Sequence, residues 1–162
     1  MFRSIPPLAA LTCAALLTSQ AAAAPAPTVV KVETGRLQGA VSGEVLAFKG
    51  IPFAAPPVGD LRWRPPQKPA PWTGIRSAVQ IGHDCLQGPI AGDPGLGTEL
   101  SEDCLYLNVW RPAQESKTRA TKAKLPVMVW IYGGGLVNGG TQPAIYQGDN
   151  FARGGVVFVS IN

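Results

Sequence analysis

The chain contains, at residues 126–140, the stretch PVMVWIYGGGLVNGG, and its fold is decided there. The first part, 127–131, carries no charge and is rich in β-branched and aromatic residues, which predicts a strand buried on both faces. Three glycines follow at 133–135, where the backbone can adopt angles that other residues resist and no side chain covers the amides. Such a strand brings bare N–H donors to the carboxyl edge of a sheet, where they can meet a ligand.

The segment that follows the glycines predicts a second buried strand at 156–162. Between the two strands, Asp149 is expected to cap a short helix at 150–153, which Gly154 and Gly155 stop. An antiparallel pair is compatible with this order, but the length of the connection favours a βαβ unit and therefore parallel strands.

Three short strand candidates separated by turn signals predict a small antiparallel meander upstream of the glycines. They lie at 29–32, 36–41 and 45–51. The proline-rich segment 52–66 is expected to be extended and irregular, with Phe53 and Trp63 packing it against the body of the protein. Residues 104–110 alternate in polarity and predict a further strand.

Length, composition and the first residues bound the class of protein. The chain has 162 residues, enough for about one domain, and a composition of 46% hydrophobic and 15% charged residues is ordinary for a globular protein. Residues 1–23 predict a cleaved signal peptide, with Arg3 before an apolar core at 8–17, and residues 24–28 form a linker. We therefore expect a secreted or periplasmic protein.

Neither a stable membrane span nor a nucleic-acid partner is expected. The apolar core of the leader is too short for an anchor, and no run of about 18 apolar residues follows it. A lipid-modified terminus at Cys13 is an alternative that the neighbouring residues do not favour. Without Arg3 the chain carries 13 basic (14 less one) and 10 acidic residues. The basic cluster at 111–124 has no interleaved aromatic residues to stack bases, so we interpret it as a solvated loop.

Two cysteines remain after the leader, Cys85 and Cys104. In an exported protein they predict one disulfide, which closes a loop of 20 residues counted inclusively. Chain-entropy reasoning assigns about 3 kcal/mol to a loop of that size. Two free thiols are the alternative. The residues between the cysteines are rich in glycine and proline and predict an irregular surface loop that can shape the mouth of a site.

The glycine-rich stretch fits one chemistry better than another. A phosphate-binding P-loop needs a lysine where Gly140 stands, and the dinucleotide pattern needs a glycine where Asn138 stands. Nucleotide binding is therefore not expected. Fixed backbone donors at the end of a strand can instead stabilise the negative charge that develops on an ester carbonyl during acyl transfer.

Several segments together carry a family resemblance. They are EDCLYLNV at 102–109, PVMVWIYGGG at 126–135, GIPFA at 50–54 with PPVG at 56–59 and Arg62-Trp63, and VFVSIN at 157–162. In this order and spacing the chain, from about residue 29 to residue 162, resembles the type-B carboxylesterase and cholinesterase family of α/β-hydrolases. The resemblance implies an α/β fold class. It implies the amino-terminal part of an α/β-hydrolase fold, a small antiparallel meander leading into a central, mostly parallel sheet that is incomplete in this chain.

The resemblance also implies roles for individual residues around the glycines. Gly134 and Gly135 would donate two N–H groups of the oxyanion hole, and Gly133 would set the turn. Leu136 stands where the family often has an aromatic residue, so the substrate wall that it forms would be roomier or differently shaped. Tyr132 stands where many α/β-hydrolases have a histidine, although tyrosine also occurs in this family.

Four further residues match structural positions of the family. Cys85 and Cys104 match its first disulfide. Arg62 and Glu102 match a pair that the family uses as a structural salt bridge.

The catalytic triad implied by the family is not found in these residues. The nucleophile motif G-x-S-x-G is absent from the 162 residues. In this fold the chain order is serine, then the acid, then the histidine, and all three are expected downstream of the glycine-rich stretch. His83 lies too early to be the base, and Ser160 has no nucleophile motif around it. The acidic residues Asp84, Asp93 and Asp149 are not in metal-ligand spacing, so neither a metal nor a cofactor is expected.

The resemblance therefore implies the amino-terminal fragment of a secreted serine hydrolase, truncated before the nucleophile. Its substrate would be a small-molecule carboxylic ester, and the fragment alone is expected to be inactive. The alternative is a non-catalytic, cholinesterase-like binding or adhesion protein, which keeps the fold and lacks the nucleophile.

Overall fold

The structure, a computed structural model, describes residues 28–88, 99–114 and 124–162. The predicted leader and nearly all of the linker lie outside the described residues. Within them, no helix is long and apolar enough to cross a membrane. The elements are, in chain order, β1 (Val29–Val32), β2 (Gly35–Gln38), β3 (Ala40–Ser42), β4 (Val45–Pro52), β5 (Ile75–Ser77), β6 (Asp84–Cys85), β7 (Leu100–Ser101), β8 (Tyr106–Pro112), β9 (Val127–Ile131), α1 (Asp149–Arg153) and β10 (Val157–Ile161).

The largest sheet has five strands in the order β3-β4-β8-β10-β9. Strands β9 and β10 pair in parallel, with Val127 opposite Val157, which confirms the predicted parallel arrangement. The other three pairings in this sheet are antiparallel, so its described part is mostly antiparallel. In this sheet, the parallel pair is the one whose strands α1 joins as a crossover connection. This mixed sheet is compatible with a partial α/β-hydrolase fold.

The predicted meander is divided between two sheets. The single strand expected at 36–41 breaks at Gly39, so that β2 pairs with β1 and β5 while β3 pairs with β4. A Cβ at Gly39 would lie 2.5 Å from the carbonyl oxygen of Ala47 and 2.8 Å from the ring of Phe48. The close approach of these two segments explains why the strand changes sheets at this glycine.

The prediction that 127–131 is buried on both faces is wrong for the described chain. Val127 is 63% exposed and Ile131 is 73% exposed, because β9 lies at the edge of the sheet with β10 as its neighbour. The helix α1 packs mainly on β8, β10 and β4. Central β10, by contrast, alternates between buried and half-buried residues.

The proline-rich segment is irregular as predicted, apart from one 3₁₀ turn at Gly59–Leu61, but its predicted anchors are wrong. Trp63 is 97% exposed and Phe53 is 38% exposed. The anchor is Trp72, whose indole donates to the carbonyl of Arg36 at 2.9 Å and packs against the core. The ring of Trp72 fills the space beside Gly35, where a Cβ would lie 2.5 Å from the indole nitrogen.

The helix α1 begins one residue earlier than predicted. Gly148 is the N-cap and Asp149 is the first helical residue, without a side-chain capping bond. A Cβ at residue 148 would lie 2.4 Å from the ring of Phe158, so the chain enters the helix at a glycine pressed against β10. Asp149 in the first turn and Arg153 in the last turn still complement the helix dipole.

Trp110 lies at the centre of the core cluster that joins β4, β8, β10 and α1. It is fully buried with Val45, Ala152 and Phe158, and its ring meets that of Phe158 edge-on at a centroid distance of 5.9 Å. Its indole N–H has no hydrogen-bond partner among the described residues.

Replacing Trp110 by alanine should lower the free energy of unfolding by about 3–5 kcal/mol, because a large buried ring leaves a cavity. Trp110→Phe should cost clearly less, since it keeps the edge contact with Phe158 and removes an unpaired buried donor. Urea unfolding of the full-length protein measures both variants. Equal losses for the two substitutions would contradict this account of the core.

Candidate functional site

The chain turns sharply just after β9. Gly134 has a φ of 136°, and Gly135 and Leu136 have φ of 62° and 63°. The amides of Val137 and Asn138 both donate to the carbonyl of Gly134, at 3.1 and 3.3 Å. Three successive residues with positive φ reverse the chain within one turn, a path that glycine follows at little cost. Leu136, which is not a glycine, is strained there.

Two glycines of this turn are also required by space. A Cβ at Gly134 would lie 1.8 Å from the carbonyl oxygen of Asn138, and a Cβ at Gly139 would lie 2.2 Å from the ring of Tyr132. The positions of Gly133 and Gly135 are open by comparison. We call residues 132–135 the outgoing arm of the turn and residues 138–141 its returning arm. The backbones of the two arms therefore pack directly against each other.

The amides at the top of the turn are uncommitted. Within the part of the chain that the structure describes, the N–H groups of Gly133, Gly134 and Gly135 donate to no protein acceptor. All three glycines are exposed. Leu136, the residue predicted to form a substrate wall, is fully exposed, so no other described residue covers its side chain. A cavity of about 230 Å³ lies beneath Leu136 and is bounded by Gln87 and Tyr132.

Gln87 holds the returning arm of the turn. Its Nε2 donates to the carbonyl of Gly139 at 2.8 Å, and the amide of Gly139 donates to its Oε1 at 2.7 Å. Nε2 also donates to the carbonyl of Cys85 at 3.1 Å. One half-buried amide side chain thus satisfies both backbone groups of Gly139.

Asp84 supports the next two residues of the arm. It is fully buried, and its Oδ1 accepts the amide of Thr141 at 2.9 Å. Gly140 makes room for it, since a Cβ there would lie 2.1 Å from the carboxylate. The same amide donates to Oδ1 of Asn162 at 3.0 Å, and Asn162 donates through Nδ2 to the carbonyl of His83 at 2.7 Å.

Asn108 joins this arm to the centre of the sheet. Its fully buried side chain donates through Nδ2 to Oγ1 of Thr141 at 3.3 Å and to Oγ of Ser160 at 3.1 Å. Its Oδ1 accepts the amide of Gly50 at 2.9 Å. Ser160 is itself fully buried, so the structure gives it a place in this network and no access to a ligand.

The environment of Tyr132 favours its neutral form. Burial raises the pKa of the Tyr132 phenol above its usual range, and the nearby negative charge of Asp84 raises it further. Its ring packs beside that of Trp130 at a centroid distance of 6.4 Å. At neutral pH the base of the turn therefore holds an uncharged phenol next to a buried acidic side chain.

The disulfide and the salt bridge lie around this support. The structure contains the Cys85–Cys104 disulfide, with Cα atoms 5.0 Å apart. It also places Arg62 Nη1 3.1 Å from Glu102 Oε1, with the side chains 56% and 37% exposed. Exposed ion pairs typically contribute about 0–1 kcal/mol. The disulfide is the stronger link of the two, because it ties the segment of Asp84 and Gln87 to the start of β8.

A metal site is not formed by the residues that the structure describes, which contain no suitable cluster of histidine, cysteine, aspartate or glutamate. The arrangement offers backbone donors at the end of a strand and buried polar side chains that fix them. The sequence pattern makes no prediction for Gln87 or Asn108. The signal for Asn108 is an amide side chain between the apolar residues Leu107 and Val109 of β8.

Comparison with known proteins shows the family. The family model described as the carboxylesterase family matches residues 26–162, and the chain therefore belongs to that family, as the resemblance predicted. It is 44% identical over 137 residues to a fumonisin B1 esterase of Sphingopyxis macrogoltabida, a match that covers 84% of this chain and 24% of that protein.

Two other relatives give a similar picture. The chain is 42% identical over 141 residues to a phenmedipham hydrolase of Pseudarthrobacter oxydans, covering 83% of this chain and 27% of that protein. It is 40% identical over 147 residues to a cholinesterase of Mus musculus, covering 83% and 23%. The chain thus spans about a quarter of the length of these curated relatives. Their names support an esterase-like hydrolase.

Replacing Gly134 by alanine should destabilise the turn more than replacing Gly135. Both positions disfavour a side chain through their φ, but only Gly134 lacks the space for a methyl group. Thermal unfolding of the full-length protein, with hydrogen exchange of residues 132–140, measures the difference. If Gly135→Ala were the more damaging variant, the packing of Gly134 against Asn138 would not limit the turn.

Tyr132 should contribute to a loss of stability at alkaline pH. Its raised folded pKa means that the folded state keeps a proton that the unfolded state loses above pH about 10. The contribution is complete below that pH and is lost as pH rises through the folded pKa. Tyr132→Phe should flatten the fall in thermal stability above pH about 10. Tyr106, whose pKa burial and Asp103 also raise, and Lys68, whose pKa its bond to Glu33 raises, contribute to the slope that remains. An unchanged slope in Tyr132→Phe would contradict the assignment.

Proposed function

We propose that this chain supplies the oxyanion-hole loop of a secreted serine hydrolase that acts on small-molecule carboxylic esters. The observation that carries the proposal is the pair of uncommitted amides at Gly134 and Gly135, presented at the end of β9 on a turn that requires glycine. Membership of the carboxylesterase family supports it. Gly133 sets the turn, and Leu136 contributes to the wall on the substrate side.

The chemistry that these amides would serve is acyl transfer. A serine hydroxyl attacks the ester carbonyl while a histidine takes its proton, and the carbonyl oxygen becomes an oxyanion. The two glycine amides and an amide next to the serine would hold that oxygen. Collapse breaks the bond to the alcohol, which leaves with the proton from the histidine, and water then releases the acid by the same steps. Removing a single donor of an oxyanion hole typically lowers kcat by about 10²–10³-fold.

The serine, the acid and the histidine would come from sequence beyond these residues. The motif G-x-S-x-G does not occur in the 162 residues, and the chain spans about a quarter of its relatives. We infer that the 162 residues form the amino-terminal portion of an α/β-hydrolase fold and that they perform no triad catalysis alone.

Export of the protein is part of the proposal. Residues 1–23 have the pattern of a signal peptide, and the Cys85–Cys104 disulfide is consistent with an oxidising compartment. The protein would be periplasmic or secreted.

A fluorophosphonate probe tests the proposal because it reacts with an activated serine. The full-length protein should be labelled on one serine in a G-x-S-x-G motif, and labelling should abolish hydrolysis of a p-nitrophenyl ester. The isolated 162 residues should show neither reaction.

The alternative is a non-catalytic, cholinesterase-like binding or adhesion protein, and the residue at the nucleophile position, which lies outside these 162 residues, distinguishes the two. A full-length protein that has glycine or alanine at the nucleophile position and takes up no probe would establish that alternative. Serine-dependent hydrolysis by the isolated 162 residues would overturn the proposal that the triad comes from sequence beyond them.

A further inference from the structure

We propose that Gln87 is a positioning residue for the oxyanion loop, and that it acts by clamping Gly139. The inference rests on the proposed function, and it adds a residue outside the glycine-rich stretch to the machinery. Gln87 lies 46 positions before Gly133 in the sequence, so the clamp is formed only by the fold.

Gln87 makes the two backbone hydrogen bonds to Gly139 that a neighbouring β-strand would otherwise make. Gln87 both donates to the carbonyl of Gly139 and accepts its amide, at 2.8 and 2.7 Å. This is the pattern that a neighbouring β-strand offers to one residue of a ladder. Within the described residues no other group pairs with the backbone of Gly139. Without Gln87, two buried backbone groups would lose their partners.

Gly139 transmits its position directly to the proposed oxyanion amides. It is buried against the carbonyl of Gly133, which a Cβ at 139 would approach to 2.5 Å, and against the ring of Tyr132. The preceding carbonyl, of Asn138, packs on Gly134. A shift of the returning arm therefore moves the backbone of the outgoing arm, which carries the amides of Gly134 and Gly135.

Gln87 is itself fixed by its neighbours in the chain. Its Nε2 also donates to the carbonyl of Cys85, and Cys85 is joined by the disulfide to Cys104 beside β8. The adjoining residue Asp84 holds the amide of Thr141. The clamp thus connects the rigid sheet to the turn through a short path of one disulfide and three side-chain hydrogen bonds.

The test uses the full-length protein with three substitutions. Gln87→Met keeps the length of the side chain and removes both hydrogen-bonding groups. Gln87→Glu keeps an acceptor and loses both donors at neutral pH, whereas a protonated carboxyl has one donor and one acceptor, enough for the two bonds to Gly139 but not for the third bond to Cys85. Gln38→Met is the matched control, because Gln38 is exposed in β2 and its side chain makes only a 3.3 Å bond to Thr28 among the described residues.

Q87M should lower kcat by about 10- to 100-fold, since small displacements of positioned groups have effects of that size. KM for the ester should change little. Affinity for a trifluoromethyl ketone, whose serine adduct places an oxyanion in the hole, should fall in parallel with kcat. Q38M should leave all three values unchanged.

Q87E supplies a readout that a merely structural role would not move. Its kcat relative to the wild type, measured at each pH, should be low at neutral pH and should recover as the pH falls and the introduced carboxyl gains a proton. A ratio that stays constant with pH would overturn the clamp as the cause of the loss. This variant also serves if Q87M does not fold.

Hydrogen exchange separates this inference from the proposed function. Exchange in residues 132–140 should be at least about tenfold faster in Q87M than in Q38M, because the amide of Gly139 loses its acceptor. Unchanged exchange would overturn the clamp even in an active enzyme. Faster exchange with unchanged kcat would overturn the positioning role. A wild type without serine labelling would reject the proposed function, while the exchange comparison would still decide whether Gln87 holds the turn.

Discussion

The buried side chain of Asn108 connects three segments that meet beneath the glycine turn. It contacts β10 through Ser160, the returning arm through Thr141, and the bulge of β4 through the amide of Gly50. The pairing of β4 with β8 shifts register at this bulge, so the Gly50 amide needs a partner outside the ladder. A buried amide side chain is costly unless its groups are paired. The hydrogen bonds of Asn108 are therefore all made only when the returning arm, the bulge of β4 and strand β10 are in their folded positions.

This coupling explains how a strained turn is kept at an exposed edge. Residues 134–136 all have positive φ, and the amides of 133–135 gain no hydrogen bond from the described residues. Such a segment cannot hold itself in place, because its local interactions do not offset the backbone strain. Its stability comes from the returning arm, where Gln87 and Asp84 bind the backbone from a segment that the disulfide fixes.

The sequence predicted the parts of this arrangement that depend on neighbouring residues. The parallel pair β9–β10 followed from the length of the connection, and the single pair of cysteines after the predicted leader indicated the disulfide. The errors arose where tertiary contacts decide. Gly39 breaks a strand because β4 lies against it, and β9 is exposed because it lies at an edge. Trp63 and Trp72 both lie in proline-rich sequence, but Trp72 packs against the core whereas Trp63 is exposed.

The supports of the turn were missed for a related physical reason. Hydrophobic periodicity and glycine runs report on residues within one element, whereas the partners of residues 139–141 come from positions 84, 87, 108 and 162. Polar side chains at those positions give no periodic signal. Their role depends on the full burial of Asp84 and Asn108 and the partial burial of Gln87 and Asn162, which only the assembled sheet provides. Preorganised donors need such fixed surroundings, so the residues that present the donors are local in sequence, and the residues that hold them are not.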